Sequence, residues 1–240
     1  MIKKGLAISL AILVLVAASL WYFFGDRIER VQIVSSLFTG VEQIDNFNRM
    51  HQMFPVTAMP AADQPYSFQV AESVPLPTEF SYGGKRVETE EFLARTDTGA
   101  VLVVKDGAIQ FEQYWRSGGQ TQTWLSMSVA KSFISALIGI AIEQGHIRDI
   151  NDPITDYAPE LAGSAYDNVP IKDILQMASG ASWNEDYGDP ESDINRFGQI
   201  FALGGSMNRF AATLIREMEP GTFNRYNSTD TQALGMLLTA

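Results

Sequence analysis

Gly5 to Phe24 is an unbroken run without a charged residue. As a helix rising 1.5 Å per residue it measures about 30 Å, the thickness of a bilayer's hydrocarbon core. Lys3 and Lys4 precede the run, and Trp21 and Tyr22 stand near its far end. This is the pattern of a transmembrane anchor with a cytoplasmic N-terminus, although Arg27 and Arg30 reduce the charge asymmetry. A cleavable signal peptide is the rival reading. Its apolar region is usually about 7–15 residues, and Ala17-Ala18-Ser19 is only a loose cleavage site. On either reading the body of the chain leaves the cytoplasm, for the periplasmic or extracellular side.

The pattern then changes character. Val41 to Met53 is amphipathic and predicts one helix, after which Pro55, Pro60, Pro65, Pro75 and Pro77 interrupt any long regular element. Residues 25–96 therefore read as an extension or tether. Order returns near Gly99: Ala100–Lys105, Asp106-Gly107 and Ala108–Trp115 predict a β-hairpin, since Asp-Gly suits a two-residue turn between β-branched and aromatic flanks. Ser128 to about Gln144 has helical apolar spacing at Val129, Phe133, Leu137, Ile140 and Ile142, with Gly145 as its stop. Asn151-Asp152-Pro153 is a turn. Short helices are predicted over Ile171–Met177 and Arg209–Met218, the second halted by Pro220-Gly221, and a last helix starts at Asp230. Strands followed by helices make the fold class α+β. The divisions are a cytoplasmic tip (1–4), an anchor (5–24), the extension (25–96) and a domain over 97–240. A lone hairpin needs further strands, so that domain is expected to be incomplete, its C-terminal strands missing.

Composition narrows the function. The net charge of −11 and the lack of any basic stripe exclude a nucleic-acid binder. With no cysteine there is neither a disulfide framework nor a thiolate metal site. The two histidines, His51 and His146, form no ligand cluster, so no metal or other cofactor is expected and a Ser-His-Asp triad is not available here.

One local pattern carries chemistry. Ser128-Val129-Ala130-Lys131 places a hydroxyl and an amine on one helix face, one turn apart. A lysine in its neutral form can there take the serine proton and create a nucleophile. The helix start supplies N–H groups and a positive dipole end where an oxyanion would form. Alone the motif means little, because Ser-x-x-Lys arises by chance about once in a chain of this length.

Its neighbours give it context. The hairpin Val101–Tyr114, Ser126–Phe133, Gly145–Leu161, Ile171–Gly180 and Pro220–Ser228 follow one another as in the serine β-lactamase and penicillin-binding-protein superfamily. The chain resembles the class C-like branch of that superfamily, and within it the 6-aminohexanoate-dimer hydrolase group with its esterases and peptidases. The resemblance implies a β-lactamase/transpeptidase-like fold, an antiparallel sheet plus a helical subdomain. It also implies Ser128 as nucleophile, Lys131 as base and, from a Tyr-x-Asn or Tyr-x-Ser motif, a tyrosine that shuttles protons. Tyr166-Asp167-Asn168 matches that motif more strictly. Tyr226-Asn227-Ser228 has the family's context, following Pro220-Gly221 and opening a helix, and Tyr226 is the choice. Ser228 then stands where the stricter pattern has an amide. The family's second oxyanion donor and third motif lie past Ala240.

The implied activity is cleavage of a small amide or ester through an acyl-serine. The alternatives are a membrane-anchored penicillin-binding or sensor protein that is acylated and not released, and an inactive fragment. Tyr187, in Trp183–Tyr187, is a candidate for lining the substrate pocket together with Ser228. The acidic run Glu185, Asp186, Asp189, Glu191 and Asp193 reads as a solvated loop, with capture of a substrate amine as the alternative; it lacks EF-hand spacing. Asn227-Ser228-Thr229 matches a glycosylation sequon but falls at the expected site. Oligomeric state and substrate identity are left open.

Overall fold

A computed structural model describes residues 2–37 and 43–240, with side chains from Ile12 onward, Met53 excepted. Contacts divide the chain into two compact units, residues 36–125 and residues 1–35 together with 126–240.

In the first unit the proline-rich extension is more ordered than its composition suggests. Helix α2 (Gln43–Met53) is the predicted amphipathic helix; Val41 and Glu42 lie outside the described residues. It buries Ile44 and Asn46, and Phe47 meets Trp124 edge-on at 5.3 Å. After strand β1 (Gln69–Val70), strands β2 (Glu79–Tyr82) and β3 (Lys85–Glu88) form a hairpin. Its turn is Gly83-Gly84, both at positive φ, the pair of left-handed residues that a tight hairpin turn demands. Helix α3 (Thr89–Arg95) follows, with Phe92 packed edge-on against Phe80.

Strands β4 (Ala100–Lys105) and β5 (Ala108–Tyr114) occupy the positions that the alternation predicts. Asp106 and Gly107 are both left-handed, at φ 51° and 75°, as a type I′ turn requires. A register shift falls between Val103 and Val104. The sheet runs β1-β5-β4. It is not wholly antiparallel, as expected from the resemblance: β1 pairs parallel with β5. The reason is its approach, since no hairpin joins the two and the chain after β1 stays beside β5 through Ala71 N–H and Val74 N–H, 2.9 Å from the Ile109 and Gln110 carbonyls.

The second unit is helical. Helix α1 (Ile2–Ser35) contains the expected anchor and continues past it through Asp26, Arg27, Glu29 and Arg30. Among the described residues no helix is long and apolar enough to cross a membrane; the side chains of Gly5–Ala11, the first part of the expected span, lie outside them. A 3-10 turn, Met127–Val129, leads into α4 (Ala130–Glu143), and Gly145 follows at φ 78° as its stop. Then come α5 (Ile171–Leu175), α6 (Asp193–Ala202), α7 (Met207–Ala211) and α8 (Ser228–Leu238).

Helix α8 packs on α4, α5 and α7. Around it lie Ile138, Ile147, Ile154, Leu161, Val169, Ile171 and Ile174. Each such side chain, fully buried, contributes about 1.5–3 kcal/mol against leaving it in water. Of the five apolar positions that predict α4, only Ile142 packs against the core. Ile138 is buried, with Ile134, Ala141 and Ile142 partly so, while Val129, Phe133, Leu137 and Ile140 stay exposed.

Two other expectations fail locally. The helix predicted over Arg209–Met218 is only α7, because residues past it join an extended network. Ala165 N–H and Ser182 N–H donate to the Leu214 and Ile215 carbonyls, and Glu217 N–H and Met218 N–H donate to that of Gly180. Helix α6 begins inside the acidic run that reads as loop, with Ser192 Oγ accepting from Asn195 N–H as N-cap.

Candidate active site

Ser126 to Lys131 forms the first wall. Met127 has φ 47°, a left-handed conformation that strains a side chain with a Cβ. It turns the chain sharply just before Ser128, which is exposed. No side chain caps the 3-10 turn or α4, so this helix start is open to a ligand. Lys131 Nζ donates to Ser128 Oγ at 3.1 Å.

The second wall is delivered by the Pro220-Gly221 turn. Gly221 sits at φ 77°, and a Cβ there would approach the Asp173 carboxylate at 3.1 Å. Gly221 N–H donates to the Ala178 carbonyl at 2.8 Å and Arg225 N–H to that of Met177 at 2.9 Å. These bonds lay the segment along residues 176–178 and bring Tyr226 to Lys131, whose ammonium lies 5.3 Å from the ring centroid, within cation–π range. Asn227 then caps α8, its side chain accepting from Thr229 N–H at 2.8 Å and Asp230 N–H at 3.3 Å.

The third wall is the Trp183–Tyr187 loop, and Glu185 is its hub. One carboxylate oxygen accepts from Trp183 Nε1 and from Ser228 N–H at 3.0 Å. The other accepts from Ser228 Oγ at 2.6 Å and Tyr187 Oη at 3.4 Å. Partial burial, then the Glu185 charge and hydrogen bond, push the Tyr187 phenol up to about 12, so it keeps its proton at neutral pH.

Between these walls lies a cleft of about 310 Å³. Ser128 and Lys131 border it from α4, Tyr187 from the loop and Ser228 from α8, with Ile134 and Phe197 among its apolar lining. Five residues singled out in the sequence thus converge: four line the cleft, and Tyr226 stands against Lys131. Tyr166 is elsewhere. It is fully buried, and its hydroxyl donates to Asp230 Oδ1 at 3.0 Å. Ser179 Oγ donates to the same oxygen at 2.7 Å. Burial raises the Asp230 carboxyl to about 7 against those two hydrogen bonds, and burial, then the Asp230 charge, holds the Tyr166 phenol well above its usual range.

Residues 88–240 match the Beta-lactamase family. The chain belongs to the beta-lactamase family. Within it, the chain is 31% identical over 148 residues to a 6-aminohexanoate-dimer hydrolase from Paenarthrobacter ureafaciens; the match covers 62% of this chain and 36% of that protein. The fold is similar to a solved structure described as a candidate 6-aminohexanoate-dimer hydrolase from Bacillus anthracis. The TM-score is 0.71 at 18% identity, over 84% of this chain and 55% of the other. The chain therefore spans about a third of the curated relative's length and about half of the solved structure's.

Sequence reading missed Glu185, which it left in the acidic run, and the apolar lining from α6. A signal for α6 was present: Ser192, a good N-cap, precedes Ile194, Phe197 and Phe201 at helical spacing. No local signal marks Glu185, because its partner Ser228 lies 43 residues on. Among the described residues no group of three or more His, Cys, Asp or Glu is placed to hold a metal ion.

Proposed function

We propose that this beta-lactamase family protein is a serine hydrolase that cleaves a small amide or ester through an acyl-Ser128 intermediate. The observation that carries the reading is the Lys131 Nζ–Ser128 Oγ hydrogen bond of 3.1 Å at the mouth of the cleft, with Tyr226 beside the same ammonium. In the reactive state Lys131 is neutral and takes the Ser128 proton as Oγ attacks the carbonyl carbon. The oxyanion forms at the start of α4, where N–H groups and the helix dipole favour negative charge. As the intermediate collapses, Tyr226 protonates the departing amine or alkoxide. It next takes a proton from water, which attacks the acyl carbon; the acid is released as Lys131 returns its proton to Ser128 Oγ. Tyr187 and Ser228 hold the substrate. A cleft of about 310 Å³ is at the small end for ligand sites, and the curated relative's name, a hydrolase of a 6-aminohexanoate dimer, fits a substrate of that size.

The test is turnover of a chromogenic ester and a matched anilide. Ser128→Ala is expected to lower both rates by about 10⁴-fold or more. Lys131→Arg, which keeps the charge but cannot accept a proton, is expected to lower them by about 10²–10⁴-fold. Undiminished turnover in Ser128→Ala overturns the reading. Intact-mass measurement of an acyl adduct that forms and does not decay would instead mark a protein acylated without release.

We propose also that the catalytic unit works outside the cytoplasm, held to the membrane through Gly5–Phe24. The support is the uncharged run behind Lys3 and Lys4, with Trp21 and Tyr22 exposed. A variant lacking residues 1–25 is expected to move from the membrane to the soluble fraction; equal fractionation of both forms refutes the anchor.

A further inference from the structure

The bonds around Glu185 fix more than the loop's position; they fix which way two hydroxyl protons point. A carboxylate only accepts hydrogen bonds. The hydrogen between Ser228 Oγ and Glu185, 2.6 Å apart, is therefore the serine's own. A serine hydroxyl has one hydrogen and two lone pairs, so what Ser228 offers the cleft it lines is lone pairs. An asparagine at this position could donate as well as accept; the serine held by Glu185 cannot.

Building on the serine-hydrolase reading, we propose that Glu185 is a positioning residue that makes Ser228 an acceptor-only group, so that the cleft selects substrates presenting an N–H, an amide over its matched ester. A site arranged to hydrogen-bond a substrate N–H discriminates strongly against the analogue that lacks it, because the site's own polar group is then left unpaired.

The two oxygens of Glu185 make the idea sharply testable. The partners of one, Trp183 Nε1 and Ser228 N–H, are obligate donors. The partners of the other are hydroxyls, those of Ser228 and Tyr187, which can turn round. In Glu185→Gln the obligate donors claim the remaining oxygen, and the new NH₂ faces the hydroxyls. The Ser228 proton must then point into the cleft. The substitution reverses the polarity of that wall at nearly constant shape.

The experiment compares kcat/KM for a p-nitroanilide and a p-nitrophenyl ester of one acyl group, in the wild type, Glu185→Gln and Ser228→Ala, with thermal melting as a check on folding. In Glu185→Gln the anilide value is expected to fall about tenfold or more, while the ester value stays within about threefold or rises. Ser228→Ala is expected to lower the anilide-to-ester ratio by about tenfold without raising the ester value. A general loosening of the loop lowers both substrates together and leaves their ratio alone; that outcome, or no change, in folded Glu185→Gln overturns the proposal. If Glu185→Gln does not fold, Ser228→Ala decides it on the same ratio. Ser128→Ala separates this failure from that of the parent reading: if it abolishes turnover while the ratio is insensitive to Glu185 and Ser228, only the positioning role falls.

Discussion

Asp230 is a carboxyl group sealed behind the candidate site, with Tyr166 and Ser179 both donating to one of its oxygens. Its other oxygen is buried without a partner. Burial raises its folded pKa to about 7, against about 3.9 in an unfolded chain. Between those values the folded state binds more protons than the unfolded one, so stability falls as pH rises from about 4 to about 7 and then levels. The contribution is a few kcal/mol, about 4 at most. Asp230→Asn is expected to flatten this part of the profile, checked by melting temperature across pH 4–8; an unchanged slope would show that Asp230 is ionised throughout. Residues like this are hard to read from sequence. Ser128 and Lys131 are three positions apart and legible as a pair. Asp230 and Tyr166 are 64 apart, and neither carries a local signal of the other.

Among the elements, the turns were written more plainly than the helices. Asp106-Gly107 and Pro220-Gly221 were readable because each turn demands a backbone geometry that few residues adopt. Helix lengths were not, because an exposed carbonyl or a passing strand can end a helix whose spacing would continue. The short α7 is the example: past Ala211, the network that includes the Gly180 carbonyl takes over. Gly180 is the critical point of that network. At φ 78°, a Cβ on it would lie 2.1 Å from the Met218 carbonyl oxygen, a backbone atom that cannot step aside. Gly180→Ala is therefore expected to cost more than the roughly 1 kcal/mol of a left-handed alanine, separating 177–182 from 214–218 and loosening the segment that carries Tyr226. The check is a lowered melting temperature together with reduced turnover of both substrates. A melting temperature equal to wild type would contradict this account. By contrast Asn227, as cap of α8, governs one helix end, worth about 0.5–2 kcal/mol.

For the molecule, the α+β class and the family were legible from the order of motifs, whereas the partition into units was not. Residues 25–96 read as a tether, yet among the described residues they hold the end of α1, helices α2 and α3 and a hairpin, because glycine turns and edge-on aromatic pairs can build structure between prolines. The apolar spacing of α4 was legible, but which of its apolar positions face the core was not. Val129, Phe133, Leu137 and Ile140 leave a continuous exposed stripe, larger than scattered surface hydrophobics. This 240-residue chain is expected to bind an environment-sensitive hydrophobic dye in its native state, and Phe133→Glu to reduce the signal without lowering the melting temperature; dye binding indifferent to that change would place the stripe elsewhere. Met127 bears on how the whole chain evolves. Its left-handed backbone stores roughly 1–2 kcal/mol beside the serine that the chemistry needs, and glycine would release it. A population evolving under selection for heat resistance alone is thus expected to fix Met127→Gly. Met127 also borders the cleft, so selection for turnover acts on its side chain as well as on its backbone.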